Sequence, residues 1–390
     1  MTNHLQNFLL DKENLNFDVY GLNPAFCNAI RRILISEVET LGFRTSYDED
    51  TDIKIVANTS ALHNEFLGHR LSLLPIIYSP KDISSYEKES LEFIIDEVNK
   101  GDNTIDITTE HIKILDKSNG KYLSEAQTRA FFPPNPITKD FILINRLKPN
   151  KVEGTDGEQM KVIMLADKGT GQEHSRYTPT CVSVFVNKIE NSKLESALKE
   201  KLSLQEETLS AEEIKSFARS FKLSEGERHF YTDENGEPNV FEFTIESDGR
   251  IPPHIILHKG IRVLEDKLNK LKSNLNNQEV VSYNNSDCIM NSYDILVKDE
   301  DYTLGYIIQH YIYMLYQNKD LKDVKYVSAS VPHPLENNLQ FRIALENNVD
   351  KENSISNIKK IMEGTIEHIV GIIEKIKGDM KNTFKANLDL

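Results

Sequence analysis

Apolar residues recur at intervals of three or four positions in four segments of the chain, at residues 24–38, 254–275, 303–316 and 354–377. This spacing lines one side of an α-helix, so each segment predicts a helix with an apolar stripe. The stripe positions are Phe26, Ile30 and Leu34 in the first helix; Leu257, Ile261, Leu264, Leu268 and Leu271 in the second; Leu304, Ile308, Ile312 and Leu315 in the third; and Ile358, Met362, Ile366, Ile369 and Ile373 in the fourth.

The segments between these helices follow other patterns. A shorter helix is predicted at residues 61–73. Residues 77–180 alternate apolar and polar positions with proline and glycine interruptions, which predicts a β-rich insertion. Residues 191–228 are rich in Glu, Lys and Ser and are interpreted as a solvated helical excursion. The polar, Asn-rich stretch 273–287 is interpreted as a linker, and beyond it a smaller unit repeats the order of elements of the larger one.

The four apolar stripes predict the core of the molecule. Burying one Leu or Ile side chain contributes about 1.5–3 kcal/mol, so a striped helix is not expected to stay exposed. The simplest arrangement packs all four helices together with the sheet of each half outside them. Because the linker joins the halves, their pairing is intramolecular, with an effective concentration of order mM for a short flexible tether. We therefore predict a pseudo-dimer folded onto itself.

Composition narrows the class of protein. The 390 residues include 46 Lys and Arg against 61 Asp and Glu, for a net charge of −15. This charge repels a phosphate backbone, so nucleic acid is not expected as a direct ligand except at a local patch. Mean hydropathy is −0.46, and no window of about 18 apolar residues occurs. We expect a soluble globular protein on the reducing side of membranes.

Cysteine and histidine patterns give little support to a metal site. The three cysteines are far apart in sequence and form no C-x-x-C pair, which disfavours a disulfide framework or a cysteine-rich zinc site. His63 and Glu65 form half of a zinc-deaminase signature whose P-C-x-x-C part is missing. His254 and His258 are four positions apart on a predicted helix, but no third ligand is evident. We interpret these residues as structural or surface groups.

Other candidate sites are similarly incomplete. The acidic run at residues 48–52 has no basic or glycine-rich neighbour to hold phosphate, and we interpret it as a solvated loop. Gly169-Thr170-Gly171 lacks the G-K-[ST] of a phosphate-binding loop. Cys181 and His174 leave a Cys/His nucleophile pair open, although Cys181 begins an apolar strand, which favours a buried structural thiol.

Several sequence segments resemble segments of one protein family, and they occur in the same order along the chain. NPAFCNAIRRILISEVET, followed by NTSALHNEFLGHRLSLLPI, resembles the opening of the third-largest subunit of eukaryotic RNA polymerase II, with relatives in the archaeal D subunit and the bacterial alpha amino-terminal domain. EHSRYTPTCVSVFV and FEFTIESDGRIPPHIILHKGIRVLEDKL are similar to its later segments. EDYTLGYIIQHYIY and VPHPLENNLQFRIAL are similar to the eleventh subunit, archaeal L. The resemblance spans nearly the whole chain.

The resemblance implies an α+β fold. It would be an intrachain pseudo-heterodimer of two alpha-subunit-type dimerisation modules around a four-helix core, with a β-rich insertion domain. The implied domains are residues 1–57, the first part of the larger module; 58–173, the insertion; 174–272, the second part of that module with the excursion 191–228; 273–287, the linker; and 288–390, the smaller eleventh-subunit-like module.

The resemblance also implies a function and partners. The chain would be a non-catalytic platform subunit of a DNA-directed RNA polymerase, as encoded by large nucleocytoplasmic DNA viruses. It would dock the largest and second-largest subunits and contact small subunits of the tenth and twelfth type. No membrane, no direct sequence-specific nucleic acid and no homo-oligomer are expected. The expected location is the host cytoplasm, in viral factories, and the virion, with the nucleus as an alternative.

The family's docking residues are carried over by matching positions. Those matched to interfaces with the large subunits are Asn28, Arg31, Arg32, Glu65, His69, Arg70 and His333. No cofactor is expected, since zinc or Mg²⁺ would belong to other subunits and the cysteine cluster of many relatives is absent. Tyr177 replaces a Trp that relatives often have, and Tyr306 stands at a usually small, polar position.

Two alternative functions remain at this stage. One is a hydrolase or transferase that uses Cys181 with His174, and the other is a coiled-coil interaction protein unrelated to transcription. Membership of a polymerase predicts a complex with much larger subunits, which neither alternative does.

Overall fold

A computed structural model describes residues 3–45, 51–79, 81, 83–152, 154–203, 210–285, 291–317, 323–346 and 351–384. The chain divides into two compact units. The first comprises Met1–Leu34, Val182–Glu246 and Leu257–Leu388, and the second comprises mainly Ile35–Cys181 and Ser247–Ile256. Cys288 and most of the acidic run at residues 48–52 lie outside the described residues.

The helices of the described chain are α1 (Pro24–Ser36), α2 (Asn64–Ser72), α3 (Glu125–Phe131), α4 (Asn191–Ser203), α5 (Ala211–Glu225), α6 (Pro253–Asn274), α7 (Tyr302–Ile312) and α8 (Lys351–Phe384). The strands are β1 (Leu5–Asp11), β2 (Asn14–Tyr20), β3 (Thr40–Gly42), β4 (Ile53–Asn58), β5 (Leu91–Val98), β6 (Ile105–Thr108), β7 (Lys113–Asp116), β8 (Lys121–Tyr122), β9 (Leu143–Leu147), β10 (Gln159–Leu165), β11 (Asp167–Gly169), β12 (Thr180–Asn187), β13 (Val240–Ser247), β14 (Val281–Asn285), β15 (Ser292–Lys298), β16 (Val324–Ser330) and β17 (Asn338–Leu345). Helices and sheets occur together, as the predicted α+β class requires.

The first unit contains two four-stranded sheets, with strand orders β1-β2-β13-β12 and β14-β15-β17-β16. In the first sheet, β2 and β13 pair antiparallel with Phe17 opposite Phe243, and the two rings stack with centroids 5.2 Å apart. Leu15, Phe17 and Val19 of β2 lie opposite Ile245, Phe243 and Phe241 of β13, and all six are buried on one face because successive side chains point to opposite faces. Each sheet therefore presents one apolar face to a core.

The second unit contains a five-stranded sheet of order β4-β10-β5-β7-β8 and the two-stranded ribbons β3–β11 and β6–β9. Its core includes the edge-to-face pair Phe43 and Phe93, whose ring centroids are 5.1 Å apart. Gly169 leaves room for the buried Tyr177 ring, since a Cβ there would lie 2.5 Å from Tyr177 Cε2. This close packing gives that glycine a structural role.

Three predicted elements differ in extent from the observed ones. Helix α2 begins at Asn64 rather than residue 61, because His63 Nδ1 accepts a hydrogen bond from the Glu65 N–H and caps it. Helix α7 ends at Ile312 and continues as a π-helix, Tyr313–Gln317, which leaves Leu315 only half-buried. Helix α8 extends to Phe384, whose ring contacts Phe8 with centroids 5.0 Å apart.

The stretch 273–287, which we interpreted as a linker, contains the end of a helix and a β-strand. Helix α6 reaches Asn274, and β14 pairs with β15 with Val281 opposite Val297. Val281 is fully buried, whereas the following residues of β14 are partly or fully exposed. One face of an edge strand can be exposed to solvent and can carry asparagines. The polar composition of residues 273–287 therefore did not distinguish a strand from a loop.

Candidate assembly interface

The apolar stripes of α1, α6, α7 and α8 are buried in the first unit. Of the seventeen residues predicted to form them, all are buried except Leu315. The stripes of α1, α6 and α8 meet the first sheet around a cavity of about 10 Å³, which is at the lower limit of the volume that one water molecule needs. Its lining includes Phe26, Ile261 and Ile376. The core between the two halves of the chain is thus closely packed.

Close approach of α1 and α6 depends on a glycine. A Cβ built at Gly260 would overlap the Leu34 side chain and would lie 3.7 Å from Ile33 Cγ2. The backbone of α6 therefore packs directly against buried α1 side chains. Glycine allows this approach because it has no side chain to displace.

Charged side chains join the helices at the edges of this core. Lys272 Nζ lies 2.8 Å from Glu367 Oε1, and Lys377 pairs with Glu265, so two ion pairs link α6 to α8. The α7–α8 contact includes the rings of Tyr311 and His368, with centroids 5.5 Å apart.

The amino-terminal strand is attached to the last helix through one carboxylate. Asp379 Oδ2 accepts hydrogen bonds from the backbone N–H groups of His4, at 2.7 Å, and Leu5, at 3.1 Å. Asp379 is buried, so these bonds are shielded from water. Sequence reasoning missed this contact, because an isolated Asp on a helix has no local signal for it.

Arg32, predicted to dock a large subunit, binds the other half of the chain. Its Nη2 lies 2.6 Å from Asp301 Oδ2, and its Nε donates to Thr303 Oγ1 at 2.8 Å. Asp301 also caps α7 by accepting from the Thr303 N–H at 2.7 Å. Burial opposes ionisation of Asp301, but the bonds from Thr303 and Arg32 outweigh it and lower its pKa. Arg32 thus helps to hold α1 against the start of α7.

The neighbouring predicted docking residues on α1 remain half-buried at the surface. Arg31 Nε donates to Asn28 Oδ1 at 2.9 Å, so the two side chains support each other. His333 lies in an exposed turn, where its Nδ1 accepts from the Leu335 N–H at 3.2 Å.

The predicted residues on α2 belong to the second unit. Arg70 donates from Nε to the Ile144 carbonyl at 3.0 Å and from Nη2 to the Leu143 carbonyl at 2.8 Å, which attaches α2 to β9. Glu65 and His69 are exposed. Phe66, which sequence analysis did not select, is 67% exposed beside them. A large apolar residue on the polar face of α2 was the available signal.

These helices match a known family. The model of the RNA polymerase Rpb3/Rpb11 dimerisation domain matches residues 16–268, and a second model with that description matches residues 292–378. The chain belongs to the Rpb3/Rpb11 dimerisation-domain family. It carries two such domains in one polypeptide, and the helices that pack together in the first unit come from both.

Curated members of this family are similar over most of their length. The mouse protein "DNA-directed RNA polymerases I and III subunit RPAC1" is 24% identical over 306 residues, covering 70% of this chain and 84% of that protein. The Methanosphaera stadtmanae "DNA-directed RNA polymerase subunit Rpo3" is 25% identical over 69% of this chain and 97% of its own. The Schizosaccharomyces pombe "DNA-directed RNA polymerase II subunit RPB3" is 24% identical over 69% and 86%.

The remaining candidate residues of this Rpb3/Rpb11-type chain have structural contacts. His174 Nδ1 accepts from the Arg176 N–H at 3.1 Å and caps a short 3₁₀ helix. Cys181 is exposed on β12, so the expectation of a buried thiol is wrong: its neighbour Thr180 takes the buried position at this end of the strand. Burial lowers the pKa of His254. Burial raises the pKa of the Cys27 thiol, so Cys27 stays neutral in the core.

No group of three or more His, Cys, Asp or Glu side chains in the described part of the chain is arranged to hold a metal ion. Within the same residues, no helix combines the length and the apolar character needed to cross a lipid bilayer.

Proposed function

We propose that this chain is the non-catalytic assembly platform of a multisubunit DNA-directed RNA polymerase. The observation that carries the proposal is the presence of two Rpb3/Rpb11 dimerisation domains in one chain, with their helices packed around a common core. Curated relatives are named as subunits of such polymerases. A closely packed apolar core suits this role, because it fixes α1 and its exposed residues in place for a larger partner.

The proposed partners are the largest and second-largest subunits, with small subunits of the tenth and twelfth type. The second-largest subunit would contact α1 at Asn28 and Arg31 and α2 at Glu65 and His69. These residues are half-buried or exposed, which leaves them accessible to another chain. Zinc or Mg²⁺ would be held by the partners. A viral polymerase acting in the host cytoplasm and packaged in virions is the context that we infer from the joining of two subunit types in one chain.

Co-expression tests the proposal most directly. We expect the full chain to co-purify with a second-largest polymerase subunit after nuclease treatment, since the contact would be between proteins. Native mass measurement should then give one complex containing both chains. If this chain purifies alone, the platform role is wrong.

The Cys/His enzyme is tested in the same system. Cys181→Ser should assemble and support transcription like the unaltered chain. Loss of transcription in a complex that still assembles would favour the enzyme alternative.

A further inference from the structure

An open groove of about 500 Å³ lies on the first unit where the two dimerisation domains meet. One side comes from the larger domain and includes Pro24, Asn28 and Phe185. The other side comes from α7 and the residue that follows it. The groove is continuous with the interface between the two domains, because α1 and α7 form both.

Aromatic side chains dominate the α7 side of the groove. Tyr306 and Tyr313 are each 44% exposed, although both line it. Tyr302 stacks on Tyr306 with ring centroids 5.0 Å apart, which restricts the orientation of the Tyr306 ring. At Tyr313 the helix changes from α to π. Such changes weaken the regular hydrogen-bond pattern and are frequent at functional sites.

Glu237 is the one acidic or basic residue, histidine apart, among the described residues that line the groove. Glu237 lies in a turn held by a hydrogen bond from its N–H to Asp233 Oδ1 at 2.9 Å. Two more acidic residues, Asp233 and Glu234, belong to the same turn. The net charge of the side chains at this end of the groove is therefore negative.

His310 adds a polar group to the groove. Within the described chain, its buried Nε2 has no hydrogen-bond partner. Burial lowers the pKa of His310 more than Glu237 and Asp233 raise it, so the ring is neutral at neutral pH. A neutral imidazole can accept a hydrogen bond at one nitrogen.

We propose that the groove binds an extended segment of a large polymerase subunit through an arginine flanked by apolar residues. The guanidinium would pair with Glu237 and stack on the exposed face of Tyr306. Arginine suits this environment because its planar, weakly hydrated cation both pairs with carboxylates and stacks on aromatic rings. The apolar neighbours would contact Phe185 and Pro24. The identity of the partner as a polymerase subunit rests on the proposed function.

Other occupants fit the groove less well. Phosphate groups of nucleic acid or lipid would be repelled by Glu237 and by the negative faces of the tyrosine rings. A second copy of this chain carries a net charge of −15, which opposes association of like molecules. The favoured occupant is therefore a cationic polypeptide segment.

The test uses random seven-residue peptides displayed on phage and panned on the purified full chain. We expect recovered peptides to be enriched in arginine between apolar residues. One recovered peptide is then labelled with fluorescein, and its binding is measured by anisotropy beside the same peptide with citrulline in place of arginine. Citrulline keeps the shape and removes the charge, so we expect it to bind roughly tenfold more weakly or worse.

Variants of the chain locate the binding site. Glu237→Gln and Tyr306→Ala should each weaken arginine-peptide binding by roughly tenfold, since each removes one partner of the cation. Glu234→Gln, in the same turn but outside the groove lining, and Tyr326→Ala, at an exposed position of β16, are matched controls that should bind normally. All four positions are exposed, and an unchanged thermal unfolding midpoint would show that the fold is intact.

In the peptide experiments, the groove proposal would be overturned by recovered peptides without arginine enrichment, by equal binding of the citrulline peptide, or by full binding by Glu237→Gln. Co-expression with the large subunits separates this outcome from failure of the proposed function. If the unaltered chain and the Glu237→Gln/Tyr306→Ala double variant assemble equally well, the groove proposal is wrong and the platform role stands. If the unaltered chain does not assemble, the platform role fails.

Discussion

Helices α6 and α2 show two different uses of an amphipathic helix. The stripe of α6, from Leu257 to Leu271, is buried against helices of the same chain. In α2 the candidate docking residues lie on the polar face instead, where Glu65, Phe66 and His69 are exposed. Burial of apolar surface stabilises the fold, so an apolar stripe is a strong signal for internal packing. An exposed face contributes little to stability, and its role depends on a partner.

The largest expected effect is on the buried stripe. Leu268→Asp should destabilise the chain by roughly 4 kcal/mol or more, because it removes a fully buried Leu and places a charge in an apolar core. We expect the variant to be insoluble or to unfold at a much lower temperature. Asn269→Asp adds the same charge at the next, exposed position and should behave like the unaltered chain. A soluble, normally folded Leu268→Asp chain would contradict the four-helix core.

A smaller effect is expected at the α1–α6 contact. Gly260→Ala should destabilise the chain by about 1–3 kcal/mol, since the added methyl group overlaps the buried Leu34 side chain. Gly371→Ala, on α8 with open space around its Cα, is the matched control. It should be neutral or stabilise by up to about 1 kcal/mol through its higher helix propensity. The thermal unfolding midpoints should therefore move in opposite directions, and equal shifts would argue against close packing at Gly260.

The ion pair between Arg32 and Asp301 should give a modest, pH-dependent contribution. Because folding lowers the pKa of Asp301, its ionised form stabilises the fold above the ordinary carboxyl pKa of about 3.9, and this stabilisation is lost as the pH falls below it. Asp301→Asn can still cap α7 but cannot pair with Arg32. Both side chains are about two-fifths exposed, so we expect a loss below about 1 kcal/mol at neutral pH.

Unfolding measured at several pH values checks this contribution. The difference in stability between the unaltered chain and Asp301→Asn should shrink as the pH falls below about 3.9 and through the lower pKa that Asp301 has in the folded chain. A difference that does not change with pH would show that the lost stability comes from packing or capping instead of the charge.

The smallest effect on stability is expected at α2. Its exposed face also gives the sharpest test of the difference between a helix face that packs internally and one that binds a partner. The double variant Glu65→Ala/His69→Ala should change unfolding free energy by no more than about 0.5 kcal/mol, because both residues are exposed. We nevertheless expect weaker co-purification of the second-largest subunit. Glu212→Ala, on exposed α5, serves as the control. If the double variant co-purifies with the second-largest subunit as well as the unaltered chain does, Glu65 and His69 of α2 are not docking residues.

Much of the fold could be predicted because its signals are local. The four striped helices were located to within a few residues, apart from the longer α8, and their stripe residues are buried with the exception of Leu315. The candidate docking positions came from family resemblance, and they remain predictions. Phe66 and the groove at Tyr306 and Tyr313 were missed, since the function of an exposed aromatic residue depends on its spatial neighbours.

The sequence by itself determined which faces of the helices are apolar, because that depends only on residue spacing and helical pitch. The tertiary structure decided which side chains meet across the chain. Arg32 reaches Asp301 over 269 positions, and Asp379 binds the His4 N–H over 375. Such polar contacts leave no periodic pattern, since one residue at each end is enough to form them. They became visible only once the apolar core had brought distant segments together.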